Sequence, residues 1–342
     1  MTSETRENQV IKSPFSAPRW LRNPHAQTMF PSLPWAWRSR PRLRRETLEL
    51  PDGDVTAVDW LVEGDSLPDG APLLVILHGL EGSAESSYAR MLMETVIERG
   101  WRACVLHFRD CGDYRNRLPR RYHAGETNDL RHFLNRLHTD REASGNPGPL
   151  LAVGYSLGGN VLLKYLGESE SDTPLAAATS ICAPLNLHIC AEALNIGFSK
   201  RYQSHLLKRM KKSVADKFDP HTAAFDWGRA MKAQTFAEFD DAVTAPLHGF
   251  DGMQDYYDRC SSVHFLHRIK RPSLIINSLD DPFMSPAVIP DPSMLSDAIT
   301  LEVSDTGGHV GFISGGTPWR PQFYLPGRIV EFLEPFAAKP GL

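Results

Sequence analysis

Leu151-Ala152-Val153-Gly154-Tyr155-Ser156-Leu157-Gly158-Gly159-Asn160 reads as the end of a strand, a tight turn and the start of a helix, with a serine at the apex. The apolar run that opens at Leu150 stops in G-x-S-x-G, and helix-like residues follow from Asn160 to Leu166. Side chains at 154 and 158 would collide across so sharp a turn, and the serine must take a strained backbone conformation. The turn lifts the hydroxyl clear of the sheet and sets a helix N-terminus beneath it. Free N–H groups and the positive end of the helix dipole favour negative charge there. A serine so placed can attack a carbonyl, and the Leu157 N–H can hold the resulting oxyanion. The plain alternative is a Gly-rich turn with an incidental serine; the strand–turn–helix context favours the nucleophile.

Working outward, short apolar runs alternate with helical stretches. Val55–Leu61, Leu73–Leu77, Ala103–Phe108, Leu150–Tyr155, Ala176–Ile181, Ser273–Asn277 and Ile299–Val303 read as strands. Tyr88–Arg99, Thr127–His138 (with Thr127 as cap) and Gln322–Phe336 read as helices. The unbroken apolar run at 73–77 is what a parallel strand buried on both faces requires. The alternation predicts a mostly parallel sheet with helices on both faces. Residues from about 183 to 262 break the rhythm, being basic and aromatic with no apolar strand. They are expected to form a helical cap insertion over the serine, at the carboxyl ends of the strands where open α/β sheets bind ligands. Residues 1–45, rich in proline, arginine and tryptophan, read as an irregular arm packed on a domain spanning 46–342. Trp35-Ala36-Trp37 beside Arg38, Arg40, Arg42, Arg44 and Arg45 offers a surface for weak membrane contact. Tryptophans of a Pro-interrupted arm more commonly pack on their own domain.

Composition narrows the function classes. The 342 residues are 42% hydrophobic and 23% charged, ordinary for a globular protein, and the net charge of −4 argues against nucleic acid as a partner. Five cysteines (Cys104, Cys111, Cys182, Cys190, Cys260) without C-x-x-C spacing read as buried thiols of a reducing compartment. A polar start and the lack of any apolar run near the roughly 18 residues of a membrane span make the cytoplasm the expected location. None of the thirteen histidines stands in H-E-x-x-H spacing. Neither a P-loop nor a dinucleotide fingerprint is present, so no metal and no organic cofactor is expected.

An isolated serine hydroxyl is a weak nucleophile and needs a base, which a carboxylate must orient. After a strand–turn–helix serine the chain order is Ser, then Asp or Glu, then His, on loops following late strands. Asp280-Asp281-Pro282 follows Leu274-Ile275-Ile276, and Gly307-Gly308-His309 follows the strand ending at Val303. Asp280 and Asp281 compete for the acid role. The carboxylate directly before Pro282 is better aimed, so Asp281 is assigned and Asp280 is read as a turn residue. His78-Gly79-Leu80-Glu81-Gly82, after an early strand, supplies the second oxyanion donor through the Leu80 N–H. His78 precedes the serine in the chain and reads as a structural histidine holding that loop. Arg109-Asp110-Cys111-Gly112 reads equally as pocket lining or as an ion-paired turn, and His123 as structural. The polar cluster Asn23-Pro24-His25-Ala26-Gln27-Thr28 has no role that composition explains.

The chain resembles the bacterial YheT-like α/β-hydrolases, relatives of eukaryotic hydrolases active on acyl lipids and medium-chain esters. The resemblance runs from Asn23 to about Phe336. It rests on N-P-H-A-Q-T at 23–28, H-G-L-E-G at 78–82, R-Y-H-A-G-E-T at 121–127, G-Y-S-L-G-G-N at 154–160 and G-G-H-V-G-F at 307–312. Its most specific part is the long-spaced stretch from Asp240 through Gly249-Phe250, Asp255-Tyr256-Tyr257 and Ser261 to Asp280-Asp281. The resemblance implies an α/β-hydrolase fold, with the nucleophile on Ser156, the acid on Asp281 and the base on His309. It implies hydrolysis of a small-molecule carboxylic ester or acyl lipid. The departure is at Arg109-Asp110-Cys111-Gly112-Asp113-Tyr114, where relatives have R-G-C-S-G-E, so substrate preference is expected to differ. Acyl transfer, thioester hydrolysis and phospholipid hydrolysis would use the same triad. A non-catalytic ligand-binding module is the remaining reading, and a complete triad argues against it.

Overall fold

Alternate residues of each central apolar run face opposite sides of one sheet. Leu73, Val75 and Leu77 pack with Phe133, Leu134, Val161 and Leu162 in one hydrophobic cluster. Their neighbours Leu74 and Ile76 pack with Leu92, Val96, Ile329 and Leu333 in another. Two covered faces leave no solvent side, so these strands carry no polar alternation.

The computed structural model of the protein describes residues 9–33, 36, 40–145 and 147–338. In chain order the elements begin β1 (Val10–Lys12), α1 (Pro24–Met29), β2 (Leu43–Glu49), β3 (Val55–Leu61), β4 (Leu73–Leu77), α2 (Ser87–Ile97) and β5 (Arg102–Leu106). Then come α3 (Asn128–Ala143), β6 (Leu150–Tyr155), α4 (Leu157–Ser169) and β7 (Leu175–Ile181). A helical stretch follows with α5 (Leu187–Ala193), α6 (Ser199–Lys217), α7 (Trp227–Lys232), α8 (Phe236–Phe239), α9 (Ala245–His248) and α10 (Met253–Cys260). The chain closes with β8 (Ser273–Ser278), β9 (Ile299–Ser304), the hairpin β10 (Ile313–Thr317) and β11 (Arg320–Phe323), and α11 (Tyr324–Ala337). Nine strands form one sheet in the order β1-β9-β8-β7-β6-β4-β5-β3-β2. The strands from β1 to β5 in that order run parallel, and β3 and β2 are antiparallel additions at one edge.

Among the described residues no strand lies between Ile181 and Ser273. The helical stretch between them divides by its packing. Leu207, Met210, Val214, Phe225, Ala230, Phe239 and Val243 form a core of their own. Leu187, Cys190, Tyr256, Tyr257, Cys260, Val263 and Leu266 instead join the main cluster on one face of the sheet.

Several elements differ from the sequence reading. Two parts of the arm are regular: β1 pairs in parallel with Leu301–Val303 at the sheet edge, and α1 is a capped helix with Asn23 accepting from the Ala26 N–H at 3.1 Å. A three-residue strand is too short to show periodicity. β2 begins at Leu43 and carries Arg44 and Arg45 because it is an edge strand, where charge is tolerated and discourages pairing. Arg42, Arg44 and Arg45 pair with Glu63 at 3.0 Å, Asp65 at 3.5 Å and Asp59 at 2.7 Å. Trp35, Trp37 and Arg38, on which the expectation of membrane contact rested, lie outside the described residues. Thr127 does not cap α3 with its side chain; its hydroxyl donates to Glu168 at 2.6 Å. The last helix starts at Tyr324, since Gln322 belongs to the hairpin. All five cysteines are free and buried. Among the described residues no helix is long and apolar enough to cross a membrane.

Candidate active site

Strand β6 feeds directly into α4, and Ser156 stands at the junction with φ 51° and ψ −119°, outside the common regions for an L-residue. The glycines make this turn possible. A Cβ on Gly154 would lie 2.3 Å from the Gly158 carbonyl oxygen, and one on Gly158 would lie 2.6 Å from the His78 carbonyl oxygen. The Ser156 N–H donates to the Ile181 carbonyl at 2.8 Å, tying the turn to β7. Asn160, one turn into α4, is fully buried and donates to the Ala124 and Cys260 carbonyls, both at 2.8 Å. The elbow helix is thereby joined to the 121–127 and 260–262 segments.

The loops after β8 and β9 bring two further side chains to the serine. His309 Nε2 lies 3.0 Å from Ser156 Oγ, and His309 Nδ1 lies 2.8 Å from Asp281 Oδ2. A carboxylate accepts only, so the Nδ1 proton points to Asp281 and the Nε2 lone pair faces the serine hydroxyl. Asp281 is buried, and its other oxygen accepts the Phe283 N–H at 2.8 Å. Phe283 stacks on the His309 ring with centroids 4.0 Å apart. Asp280 points elsewhere: it accepts the Gly308 N–H at 2.9 Å and so fixes the histidine loop from behind. Burial raises the Asp280 carboxyl above its ordinary range.

The 78–82 loop lies against the elbow, since a Cβ on Gly79 would sit 3.4 Å from that of Ser156. Its N–H groups are assigned almost one by one. Gly79 donates to the Tyr88 hydroxyl at 2.8 Å, Glu81 to the Tyr122 hydroxyl at 2.8 Å, and Gly82 to the Gly79 carbonyl at 2.9 Å. Leu80 itself lines the cavity together with Ser156, Leu157 and His309. His78 is fully buried with Nδ1 2.7 Å from the Gly79 carbonyl and Nε2 accepting the Phe108 N–H at 3.2 Å. Burial and the neighbouring His107 lower its pKa to about 3, which keeps it a neutral structural ring. Tyr122 also donates to Glu81 at 2.9 Å, and Arg121 pairs with Glu81 at 3.0 Å. The 121–127 segment therefore braces this loop.

The cavity has a volume of about 120 Å³ and is mostly apolar, walled by Leu194, Met210, Phe236, Phe239, Val243, Leu247 and Met284 among others. His123, His248 and Asp240 add polar points to its wall. Asp240 opens a single π turn (Asp240–Thr244) and accepts from the Thr244 hydroxyl at 2.6 Å and the Tyr257 hydroxyl at 2.8 Å. Burial raises its pKa to about 6, against those two bonds. His123 is lowered to about 3, chiefly by burial. Of the aromatics between β7 and β8, Phe236 and Phe239 line the cavity, whereas Phe225 stacks with Trp227 and meets Phe218 edge-on away from it.

The 109–114 loop does not line this cavity. Arg109 is buried in an ion-paired cluster with Asp52 at 2.7 Å, Asp54 at 2.8 Å and Asp129 at 2.6 Å. Residues 110–115 border a separate polar hollow with Arg209, Lys212 and Lys217 of α6. Cys182, Asp281 and His309 place three ligand-type atoms within 4.8 Å of one another. Burial and the Asp281 charge push the Cys182 thiol well above its usual range, so it is a protonated and poor ligand.

Sequence reasoning missed the residues that hold the histidine loop. Thr28 accepts the His309 N–H at 2.9 Å and Gln27 accepts the Ile313 N–H at 2.8 Å. The signal was the unexplained N-P-H-A-Q-T segment.

A family profile described as alpha/beta hydrolase fold matches residues 72–316. The Escherichia coli (strain K12) protein named "Putative esterase YheT" is 41% identical over 92% of this chain and 91% of its own length. Phospholipase ABHD3 of Homo sapiens is 27% identical over 98% of this chain and 86% of its own. The structure of the Pyrococcus furiosus esterase Pf2001 superposes with a TM-score of 0.58 at 14% identity, covering 96% of this chain and 98% of that one. At that identity the likeness is one of fold.

Proposed function

The chain belongs to the α/β hydrolase fold family, and we propose that it hydrolyses carboxylic esters through an acyl-enzyme on Ser156. The observation that carries this reading is the unbroken chain of contacts from Ser156 Oγ to His309 at 3.0 Å and from His309 to Asp281 at 2.8 Å, opening on an apolar cavity. His309 Nε2 takes the serine proton as Oγ bonds to the ester carbonyl carbon. The Leu80 and Leu157 N–H groups, the latter at the positive end of α4, hold the oxyanion. Asp281 keeps the imidazole in the Nδ1–H form and stabilises the imidazolium. The tetrahedral centre collapses by breaking the bond to the alcohol oxygen, to which His309 returns the proton. Water then enters by the same route: His309 removes its proton as its oxygen bonds to the acyl carbon, the bond from that carbon to Ser156 Oγ breaks, and His309 returns the proton to Oγ as the acid leaves.

The apolar wall favours a short- to medium-chain acyl group or an acyl lipid. Each buried methylene contributes about 0.8 kcal/mol, so the depth between Ser156 and the cap decides which length fits. The cap over the site, within about residues 183–262, is the part of the chain assigned to substrate choice. The named relatives include one called a putative esterase and one called a phospholipase, so phospholipids belong beside simple esters as substrates to test. The test is a panel of p-nitrophenyl esters of increasing acyl length together with a phosphatidylcholine. Turnover of at least one ester, abolished in Ser156→Ala, is expected; folded protein that cleaves none would overturn the proposal.

A further inference from the structure

The loop that carries His309 is bent against its own preferences. Gly307 and Gly308 have φ of 152° and 60°, and Val310 and Phe312, with side chains, have φ of 60° and 45°. Non-glycine residues persist in such conformations when their surroundings over-determine them. Here the surroundings are side chains from other segments, each accepting one loop N–H. Asp280 takes that of Gly308 at 2.9 Å, and Cys182 Sγ takes that of Val310 at 3.4 Å. The bond to His309 itself comes from the N-terminal arm, where Thr28 Oγ1 accepts its N–H at 2.9 Å.

The Thr28 hydroxyl has a fixed orientation. Its proton goes to the Pro24 carbonyl at 2.8 Å, one turn back in α1, so a lone pair is presented to the His309 N–H. The neighbouring Gln27 is fully buried and makes three bonds, donating to the Leu21 and Ile313 carbonyls at 2.9 and 3.0 Å and accepting the Ile313 N–H at 2.8 Å. The helix lies so close that a Cβ on Gly308 would be 2.5 Å from the Pro24 carbonyl oxygen, and one on Gly311 would be 2.3 Å from that of Gln27. Two residues of one short helix thus hold the loop at His309 and again at Ile313, some 280 positions away in sequence.

We propose that Thr28 is a positioning residue for His309: its hydroxyl, locked by Pro24, sets the backbone from which the imidazole reaches Ser156. The inference rests on the assignment of His309 as the base. Misplacing a reacting group by about 1 Å can cost about 100-fold in rate, whereas substrate contacts in the cavity do not involve Thr28. The loss therefore belongs in kcat and not in KM.

The experiment compares Thr28→Val, Thr28→Ala and Thr28→Ser with the parent. Valine keeps the shape and removes the acceptor, alanine removes both, and serine keeps the acceptor. Measurements are kcat and KM on a p-nitrophenyl ester, the rate of Ser156 phosphonylation by a fluorophosphonate, and Tm. Expected are losses of about 10- to 100-fold in kcat and in labelling rate for Val and Ala, with KM little changed and Ser close to the parent. If the parent labels at Ser156 while the folded Val or Ala variant labels as fast, the inference is overturned. A loss in Ser as large as that in Val would also overturn it, because keeping the acceptor would then not preserve the position of the base. A parent that takes no label at Ser156 fails at the base assignment instead, and the inference falls with it.

Discussion

The serine and the histidine of this site are held in opposite ways. Ser156 gets its geometry mainly from ten consecutive residues: a strand end, two glycines at which a Cβ would come within 2.3 to 2.6 Å of a carbonyl oxygen, and the helix that follows. His309 gets its geometry from Thr28, Cys182, Asp280 and Asp281, bonds that each span 28 or more positions of sequence. A locally built element tolerates changes elsewhere in the molecule. An element assembled from distant pieces is exposed to all of them. The alignment of the base, and not the presence of the nucleophile, is therefore the sensitive quantity.

The two aspartates separate the kinds of support that the histidine receives. Asp281→Asn should lower kcat by roughly 10³–10⁴-fold, because the amide can favour the wrong tautomer of His309. Asp280→Asn should cost far less, since an amide oxygen can still accept the Gly308 N–H. Steady-state kinetics on one ester ranks them, and the reverse order would move the acid to Asp280.

The cap offers a second contrast, between aromatics that face the cavity and those that pack inside. Phe236→Ala and Phe239→Ala should shift the ratio of short- to medium-chain kcat/KM by about 10-fold or less, the scale of one to two methylenes. Phe225→Ala and Trp227→Ala should lower Tm and leave that ratio unchanged. A changed profile in the second pair would mean that the cap acts as one unit on the substrate.

The smallest effect is a pH dependence of stability set by buried groups around the site. His78 and His123, each lowered to about 3, stay neutral in the fold while the unfolded chain binds their protons below about 6.5. Their contribution is therefore complete above about 6.5 and is lost as pH falls toward about 3. Asp240, raised to about 6, acts the other way, since the fold holds its proton where the unfolded chain has released it. Tm should fall on acidification between about pH 6.5 and 4, and Asp240→Asn should make the fall steeper. Thermal melts across that range measure both slopes, and a shallower slope in Asp240→Asn would contradict the sign.

The same division explains what could be read from the sequence. The elbow and the central strands are short-range features, so G-x-S-x-G and the run at 73–77 were legible at once. Asp281 and His309 followed from chain order after late strands, and the structure places both within hydrogen-bond reach of their partners. The arm was not legible. Three strand residues at the sheet edge carry no pattern, and nothing local in Gln27 or Thr28 says that their partners are Ile313 and His309. The 109–114 loop, open in the sequence between pocket lining and an ion-paired turn, is likewise decided by distant contacts. It follows a strand near the site, but Arg109 turns into a cluster of three aspartates and the loop faces a different hollow.

The central claim is that His309 activates Ser156, and the rate of phosphonylation by a small fluorophosphonate tests it most directly. Peptide mapping should place a single adduct on the peptide containing Ser156 in the parent and none in Ser156→Ala. Labelling should be slower by orders of magnitude in His309→Ala. An adduct on another residue, no adduct on folded parent, or a His309→Ala protein that labels as fast as the parent would contradict the account.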